Sequence, residues 1–240
     1  MIKSDTESEK LIINFFNFYK EIGIDLTINN KTSHKKNGKI RESVHLRKSS
    51  EKKIRELEIK FKNFDSCNLK KTSANFVSFY GNINSRILII DGPPDEKEDR
   101  EGTSFVSDKG DLFEKMLNAI KLKKNDIFFV KGIPWRPPGN RYPSIEEIKI
   151  CRPFILNLIE LIQPKIIVCL GEVPTNQILE SNASITKIRG KWCTFKPDKL
   201  NYEIYVLPTL NISHLLNRPD LKRYAWEDMK LLRDKIEDIL

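Results

Sequence analysis

The chain has 240 residues, of which 39% are hydrophobic and 31% are charged, and this composition excludes a wholly disordered chain. Its formal net charge of +9 comes from 42 Lys and Arg against 33 Asp and Glu and is consistent with a polyanionic partner. Every apolar run is shorter than the roughly 18–20 residues that cross a bilayer, and residues 1–10 lack the apolar segment of a signal peptide. We therefore expect a cytoplasmic protein that has no membrane partner.

The N-terminal quarter of the chain contains a predicted helix and a basic segment. Apolar residues recur at helical spacing within residues 1–24, which predicts a helix there. Residues 25–60 are predicted to form a flexible basic linker that ends in a short helix, Glu51–Phe61. The stretch Lys31–Lys53 carries nine Lys or Arg and two Glu, a net charge of +7. We favour a solvated linker, since blocks of like charge are usually disordered, over a basic arm that concentrates DNA by counterion release.

Residues 61–240 are expected to form the packed domain, because short apolar strands alternate with amphipathic helices. The strand patterns are continuous rather than alternating, which is typical of strands buried on both faces. Strand–helix alternation implies right-handed crossovers and a parallel sheet, whose ligands bind at the carboxyl ends of the strands. The strands are predicted at Arg86–Asp91, Asp126–Val130, Lys165–Leu170 and Glu203–Leu207.

Helices are predicted between and after these strands. Ser144 and Glu147 form a capping-box pattern at the start of a helix that extends to Ile162, and Pro153 is expected to kink or interrupt it. In the last helix, Lys222–Leu240, the predicted apolar stripe begins at Trp226. The other two helices are predicted around Leu112–Ile120 and Thr175–Leu179.

The loops after the four strands carry recognisable motifs. The first reads DGPPDEKED from Asp91, followed by GTSFVSDKGDLF, and the second contains RPPGNR at Arg136–Arg141. Later segments read PKIIVCLG, ITKIRGKW and NISHLLNRP. In order and spacing these resemble the family 4 uracil-DNA glycosylases, whose motifs are GEAPGxxED, RPPGNR, PKVIVxLG, ITKxRGxW and HPxxLLxxP. The resemblance extends from about Cys67 to the C-terminus.

This resemblance implies a fold and an activity. The expected fold is a three-layer α/β/α sandwich around a central four-stranded parallel sheet. The expected protein is a monomeric enzyme of base-excision repair that binds uracil-containing DNA, hydrolyses the N-glycosidic bond of a flipped-out uracil and leaves an abasic site. Two alternatives stay open: a degenerate member that binds DNA without turnover, and a glycosylase for another damaged base.

The chain departs from the family pattern at catalytic positions. The family's water-activating Glu falls on Gly92, its base-reading Asn falls on Lys131, and its final-motif His falls on Asn211. The base-stacking Phe is kept as Phe105. The resemblance thus gives a predicted uracil-binding set: Gly92, Pro94, Phe105, Lys131 and Asn211.

Carboxylates in the first loop are the candidates for assisting water. A carboxylate near C1′ stabilises an oxocarbenium-like transition state, and Asp91, Asp95 and Asp99 are available. Asp95 is preferred on the resemblance, although an acidic turn that only caps the next helix is an equal alternative. Asn211 is the candidate for stabilising the departing uracil anion, with His214 as a weaker substitute. The predicted catalytic set is Asp95, Asn211 and Asp99.

Basic and polar loop residues are predicted to bind DNA phosphates, because they fall in the motifs that face DNA in the family. Leu215 falls where family members insert a side chain into the duplex. The predicted DNA-binding set is Arg136, Asn140, Arg141, Arg189, Lys191, His214, Leu215 and Arg218.

No cofactor is predicted. The four cysteines form no CxxC pair, which favours a reducing compartment. Many family members bind a [4Fe-4S] cluster through four cysteines, and the resemblance places those positions at Phe64, Cys67, Trp135 and Cys151. Two thiolates do not satisfy a cluster that needs four ligands, so we expect the family's cluster to be lost and no metal to be bound.

Overall fold

The structure is a computed structural model that describes residues 50–181 and 183–240. The predicted helix within residues 1–24 and the basic stretch up to residue 49 lie outside these ranges. Within them, no helix is long and apolar enough to span a bilayer.

The centre of the fold is a mixed six-stranded sheet. Its strands are β1 (Tyr80–Gly81), β2 (Ile87–Asp91), β3 (Phe128–Lys131), β4 (Ile166–Leu170), β5 (Cys193–Phe195) and β6 (Ile204–Thr209), in the order β1-β3-β2-β4-β6-β5. The four central strands are parallel and correspond to the four predicted strands. The two edge strands are antiparallel to their neighbours and were not predicted. The predicted four-stranded parallel sheet is therefore the centre of a wider sheet.

Eight α-helices connect and cover these strands in the described part of the chain. They are α1 (residues 50–62), α2 (Glu96–Glu101), α3 (Ser107–Ala119), α4 (Ile145–Ile162), α5 (Glu172–Leu179), α6 (Ile185–Ile188), α7 (Ile212–Asn217) and α8 (Lys222–Ile239). The capping box at the start of α4 is confirmed: the Ser144 hydroxyl accepts from the Glu147 amide, and the Glu147 carboxylate accepts from the Ser144 amide. Helix α4 continues through Pro153 without interruption.

Helices cover both faces of the sheet, as the three-layer prediction requires. On β2, Leu88 and Ile90 point into a core that contains residues of α1, α4 and α5. Ile87 and Ile89 point into a second core, which contains residues of α3, α7 and α8. Because successive side chains of a strand point to opposite faces of the sheet, this fully buried strand contributes to both cores.

Helix α1 belongs to the packed domain, because Ile54, Leu57 and Phe61 are buried in the first core. The packed part therefore includes residues that the sequence interpretation assigned to the linker. At the other end of the chain, Met229 and Leu232 are buried as predicted, whereas the Trp226 side chain is 40% exposed. Including Trp226 in the apolar stripe of α8 was wrong, since the buried face of this helix begins one residue earlier, at Ala225.

Candidate functional site

A cavity of about 640 Å³ opens at the carboxyl edge of the parallel strands. Three of its walls follow strands: Gly92–Asp95 follow β2, Gly171 follows β4, and Asn211 follows β6. Pro137 and residues 140–143, in and directly after the RPPGNR motif, form another wall. A neighbouring cavity of about 500 Å³ shares Asp95, Lys109 and Asn140 with the first. The site thus lies where parallel-sheet folds place their ligands.

Asp95 both lines the cavity and begins a helix. Its Oδ1 atom accepts hydrogen bonds from the amides of Lys97 and Glu98, while the Glu98 carboxylate accepts from the Asp95 amide. This is a complete capping box on α2. The two alternatives for this acidic turn are therefore not exclusive, since one carboxylate caps α2 and lines both cavities.

Four buried charged side chains meet beside the cavity, and one of them, Lys109, lines it. The Lys131 ammonium contacts Asp91 Oδ2 at 2.8 Å and Glu98 Oε2 at 2.7 Å. The Lys109 ammonium contacts the same two oxygens at 3.1 and 3.0 Å. We call these four residues the charge cluster. Its two carboxylates match two ammonium groups, which makes burial of the charges tolerable because each charge is paired and hydrogen-bonded.

The charge cluster alters the acidity of its members. Burial opposes the charged form of Asp91, but the ammonium groups of Lys109 and Lys131 outweigh it and keep the pKa of Asp91 below its usual value. Burial also opposes the charged form of Lys109, but Asp91 and Glu98 outweigh it and raise the pKa of Lys109. For the fully buried Lys131, burial dominates and lowers the pKa. The carboxylates of the charge cluster thus stabilise the charged form of Lys109.

The structure places two of the predicted uracil-binding residues behind the cavity wall. Lys131 is completely buried, and its ammonium donates hydrogen bonds to both carboxylates of the charge cluster. The prediction that Lys131 contacts the base therefore needs correction. The Phe105 ring is 8% exposed and stacks on Phe113, with 3.9 Å between ring centroids. Neither side chain lines the cavity, whereas the other three predicted residues do: Gly92, Pro94 and Asn211.

Asn211 is held by hydrogen bonds from three directions. Its Oδ1 atom accepts from the Ser213 amide and caps α7. Its Nδ2 atom donates to Asp91 Oδ1 at 2.7 Å and to the Leu170 carbonyl at 3.3 Å. An amide nitrogen has two hydrogens, so both donors already have partners inside the protein. Asn211 thereby ties together the ends of β2, β4 and β6.

Asp99, the third predicted catalytic residue, lies away from the cavity. Its carboxylate accepts hydrogen bonds from the amides of Ala74 and Asn75, and the Asn75 side chain donates back to the Asp99 carbonyl. Asp99 is buried and absent from the cavity lining. Its placement in the catalytic set needs correction, because its oxygens are used to hold the segment before β1.

The sequence interpretation missed Lys109, which lines both cavities although its side chain is only 5% exposed. It lies in the first turn of α3, where a cation opposes the helix dipole. The backbone before it is unusual, since Phe105 and Ser107 have φ of 57° and 53°. A Cβ atom at Gly110 would lie 2.0 Å from the Phe105 carbonyl oxygen, so only glycine permits this close approach. The one sequence signal for Lys109 was a lysine at an unfavourable helix position.

Several predicted DNA-binding residues are paired with acidic side chains, and Asn140 and Arg141 line the cavity. Arg136 contacts Glu96 at 3.5 Å, Arg141 contacts Glu147 at 2.7 Å, and Arg218 contacts Asp220 at 3.0 Å. These contacts are on the surface, where ion pairs contribute little and exchange readily with solvent. Asn140 lies among them and accepts a hydrogen bond from Arg136, and Lys191 and His214 are exposed.

Arg189 and Leu215, two further predicted DNA-binding residues, make contacts inside the protein. The Arg189 guanidinium pairs with the buried carboxylate of Asp228, which also accepts from the Thr209 hydroxyl at 2.6 Å. Leu215 is 0% exposed and packs in the second core. A side chain at that depth does not reach a duplex, so the assignment of Leu215 to DNA needs correction. Its neighbour Leu216 is partly exposed and lines the smaller cavity.

The residues at the four positions of the family's [4Fe-4S] cluster do not fit such a cluster. Cys67 and Cys151 are buried, and a hydrogen bond between their thiols lowers the pKa of Cys67 to about 7 and raises that of Cys151. The Trp135 ring is buried and packs edge-on against Phe61. Phe64 is apolar as well. Across residues 50–181 and 183–240, no group of three or more His, Cys, Asp or Glu is arranged to hold a metal ion.

Comparisons with known proteins identify related sequences. A sequence model of the uracil DNA glycosylase superfamily matches residues 78–230. A type-4 uracil-DNA glycosylase of Sulfurisphaera tokodaii is 36% identical over 173 residues, which cover 70% of this chain and 78% of the relative. The type-4 uracil-DNA glycosylase of Saccharolobus solfataricus is 34% identical, covering 71% and 80%. That of Thermotoga maritima is 33% identical, covering 73% and 91%.

Proposed function

The chain belongs to the uracil-DNA glycosylase superfamily, and we propose that it is itself a uracil-DNA glycosylase of DNA repair, which hydrolyses the N-glycosidic bond of a flipped-out uracil. The observation that carries this proposal is the cavity at the carboxyl edge of the sheet, since the loops that line it carry the motifs of the family. Relatives named type-4 uracil-DNA glycosylase match over most of their length.

The cavity provides a receptacle for one extruded nucleotide. Its volume of about 640 Å³ lies within the usual range for small-ligand sites. Gly92 leaves space at the wall, because a Cβ atom there would meet only Asn211 Nδ2, at 3.9 Å. Extrusion costs a few kcal/mol of stacking and pairing, which contacts inside the pocket must offset.

Asp95 is the carboxylate that we assign to the reaction. Its Oδ1 atom is held by two backbone amides, and within the described residues its Oδ2 atom accepts no hydrogen bond. A carboxylate at the cavity wall stabilises positive charge that develops on the sugar and orients an attacking water molecule. The C1′–N1 bond breaks with its electron pair leaving on the base, and the water oxygen bonds to C1′.

Three arginines with acidic partners are assigned to the DNA backbone. Arg136, Arg141 and Arg218 have acidic surface partners, which phosphates replace on binding. Arg189 contributes less to this surface, because Asp228 already holds its guanidinium. Each phosphate that an arginine neutralises releases counterions and makes the affinity depend on salt.

A second candidate function is DNA binding without turnover. The observation that favours it is the complete internal pairing of Asn211 and Asp91, whose polar atoms all have partners inside the protein. A glycosylase for another base stays open on weaker grounds. Lys131 was the reason to consider it, and that side chain is buried away from the cavity.

We further propose that the protein works as a monomer in the cytoplasm and without a [4Fe-4S] cluster. The absence of the cluster is supported by Phe64 and Trp135 at two of the four ligand positions. The cytoplasm is supported by four cysteines that are free thiols.

The deciding experiment is cleavage of a labelled uracil-containing oligonucleotide, single- and double-stranded, at stoichiometric enzyme, followed by alkali. Strand scission at the uracil position is the expected result. Retained binding without scission would replace the proposed function by the second candidate. An oligonucleotide with thymine at the same position is the control for strand breakage that does not depend on uracil.

A further inference from the structure

We propose that Lys109 is a catalytic residue of this glycosylase, donating a hydrogen bond from its ammonium to a carbonyl oxygen of the flipped base and stabilising the anion that leaves. The inference rests on the proposed function and deepens it. The family resemblance gave the role of stabilising the leaving base to Asn211. This inference assigns that role to Lys109, on α3.

The position of Lys109 is the first argument. Among the residues that line the main cavity, it is the buried cation, and it lines the neighbouring cavity as well. Its ammonium donates a hydrogen bond to Glu98 Oε2 at 3.0 Å and lies 3.1 Å from Asp91 Oδ2. An ammonium group has three N–H donors, so one is left for a ligand. A donor that is fixed in place before the reaction costs no reorganisation when charge develops.

The surroundings of Lys109 are the second argument. A lysine in the first turn of a helix opposes the helix dipole, and the loop before it has two non-glycine residues at positive φ, Phe105 and Ser107. Strain of this kind persists where the surrounding structure over-determines it, and it concentrates at functional sites. Gly110 also allows the Phe105 carbonyl oxygen to approach closely, since a Cβ atom there would lie 2.0 Å from that oxygen. These departures from local rules fix the backbone that carries Lys109 at the cavity.

The hydrogen bonds that Asn211 already makes are the third argument for Lys109. Both N–H bonds of its amide have acceptors, on Asp91 and on Leu170. If Asn211 donated to a base, one buried acceptor would lose its partner, at a cost that weakens the gain. Lys109 meets no such conflict and carries a full positive charge, which its carboxylate partners stabilise.

The chemistry balances without any further reagent. The C1′–N1 bond breaks and its electron pair remains on the base, where it is shared between N1 and the carbonyl oxygens. The Lys109 ammonium donates a hydrogen bond to one of these oxygens and keeps its proton. Water bonds to C1′ and releases a proton, which the base anion takes up in solution. The substrate class is therefore a base that leaves as an oxygen-stabilised anion.

The test measures single-turnover cleavage of DNA containing uracil or 5-fluorouracil. Fluorine stabilises the departing anion, so an enzyme that lacks its anion-stabilising group should be partly rescued by this substrate. The variants are Lys109→Met and the double variant Glu98→Gln/Lys109→Met, which removes one charge of each sign and leaves Asp91 paired with Lys131. Lys115→Met is the matched control, because Lys115 is exposed on the same helix. Thermal unfolding verifies that each variant is folded.

We expect Lys109→Met and the double variant to lose about 10²–10³-fold in rate on uracil, to lose distinctly less on 5-fluorouracil, and Lys115→Met to match the wild type. Equal losses on both substrates, or no loss in a folded variant, would overturn the role of Lys109 while the wild-type rate still upheld the proposed function. A wild-type protein that cleaves neither substrate would refute the proposed function and this inference together.

Discussion

The charge cluster makes a quantitative prediction about stability. Lys131→Met removes one ammonium from a site where Lys131 is completely buried and contacts Asp91 and Glu98 at 2.8 and 2.7 Å. Two carboxylates would then share Lys109 alone. Breaking a buried ion pair on one side costs about 3–5 kcal/mol, because the remaining charge stays buried without compensation. In a chain of 240 residues, this corresponds to a fall in Tm of about 6–20 °C.

Urea denaturation of wild type and variants measures this loss. The matched variant Glu98→Gln/Lys131→Met removes one charge of each sign, so its loss should be smaller than the sum of the two single losses. A Lys131→Met protein within about 0.5 kcal/mol of wild type, the usual range for a surface substitution, would refute the reasoning. Additive losses in the double variant would also refute it.

The same cluster predicts how stability depends on pH. Asp91 has a folded-state pKa below its usual 3.8, so its contribution is present above that value and is lost as pH falls through the folded pKa. Lys109 has a folded-state pKa above its usual 10.5, so its contribution is present below that value and is lost as pH rises further. The stability difference between wild type and Lys131→Met should therefore narrow below about pH 4, as Asp91 becomes protonated.

Three further predictions concern the site and its surroundings. Asn211→Ala should destabilise the protein by about 2–4 kcal/mol, since it removes a helix cap and a partner of Asp91. It should slow cleavage less than Lys109→Met does. An unchanged Tm would contradict the structural role of Asn211. Gly92→Glu restores the family's acidic residue at a position where a Cβ atom would meet only Asn211 Nδ2, at 3.9 Å. It should raise the cleavage rate by up to ~10², and an unchanged rate would contradict this expectation. Arg141→Gln should reduce the slope of log K against log salt by about 1 in DNA-binding titrations, and an unchanged slope would remove Arg141 from the interface.

The central strands and the main helices were predictable because their signals are local. Four buried apolar runs and the capping box of Ser144 and Glu147 specify their elements without reference to distant residues. The edge strands were not predictable. Tyr80–Gly81 and Cys193–Phe195 have two and three residues, too few for a period, and they exist because a neighbouring strand offers free backbone groups.

The candidate site was only partly predictable, for a related reason. Motif order located the cavity loops and placed Asp95, Gly92 and Asn211 on its wall. It did not show that Asp99 is used to hold a loop, or that Leu215 is buried while Leu216 reaches the surface. A motif position records which residue type follows which, whereas hydrogen-bond occupancy and depth depend on the elements that pack around it.

The amino-acid sequence by itself determined the order of the central strands and main helices, the parallel centre of the sheet and the edge at which the site lies, because hydrophobic periodicity and capping act over a few residues. Only the tertiary structure decided what the charged residues do. Lys131 and Asp91 are 40 positions apart, and Asn211 and Asp91 are 120 positions apart. Their pairing depends on the sheet bringing strand ends together, and burial there makes an unpaired charge too costly to leave. That same packing left Lys109, which no motif marks, as the buried cation on the wall of the cavity.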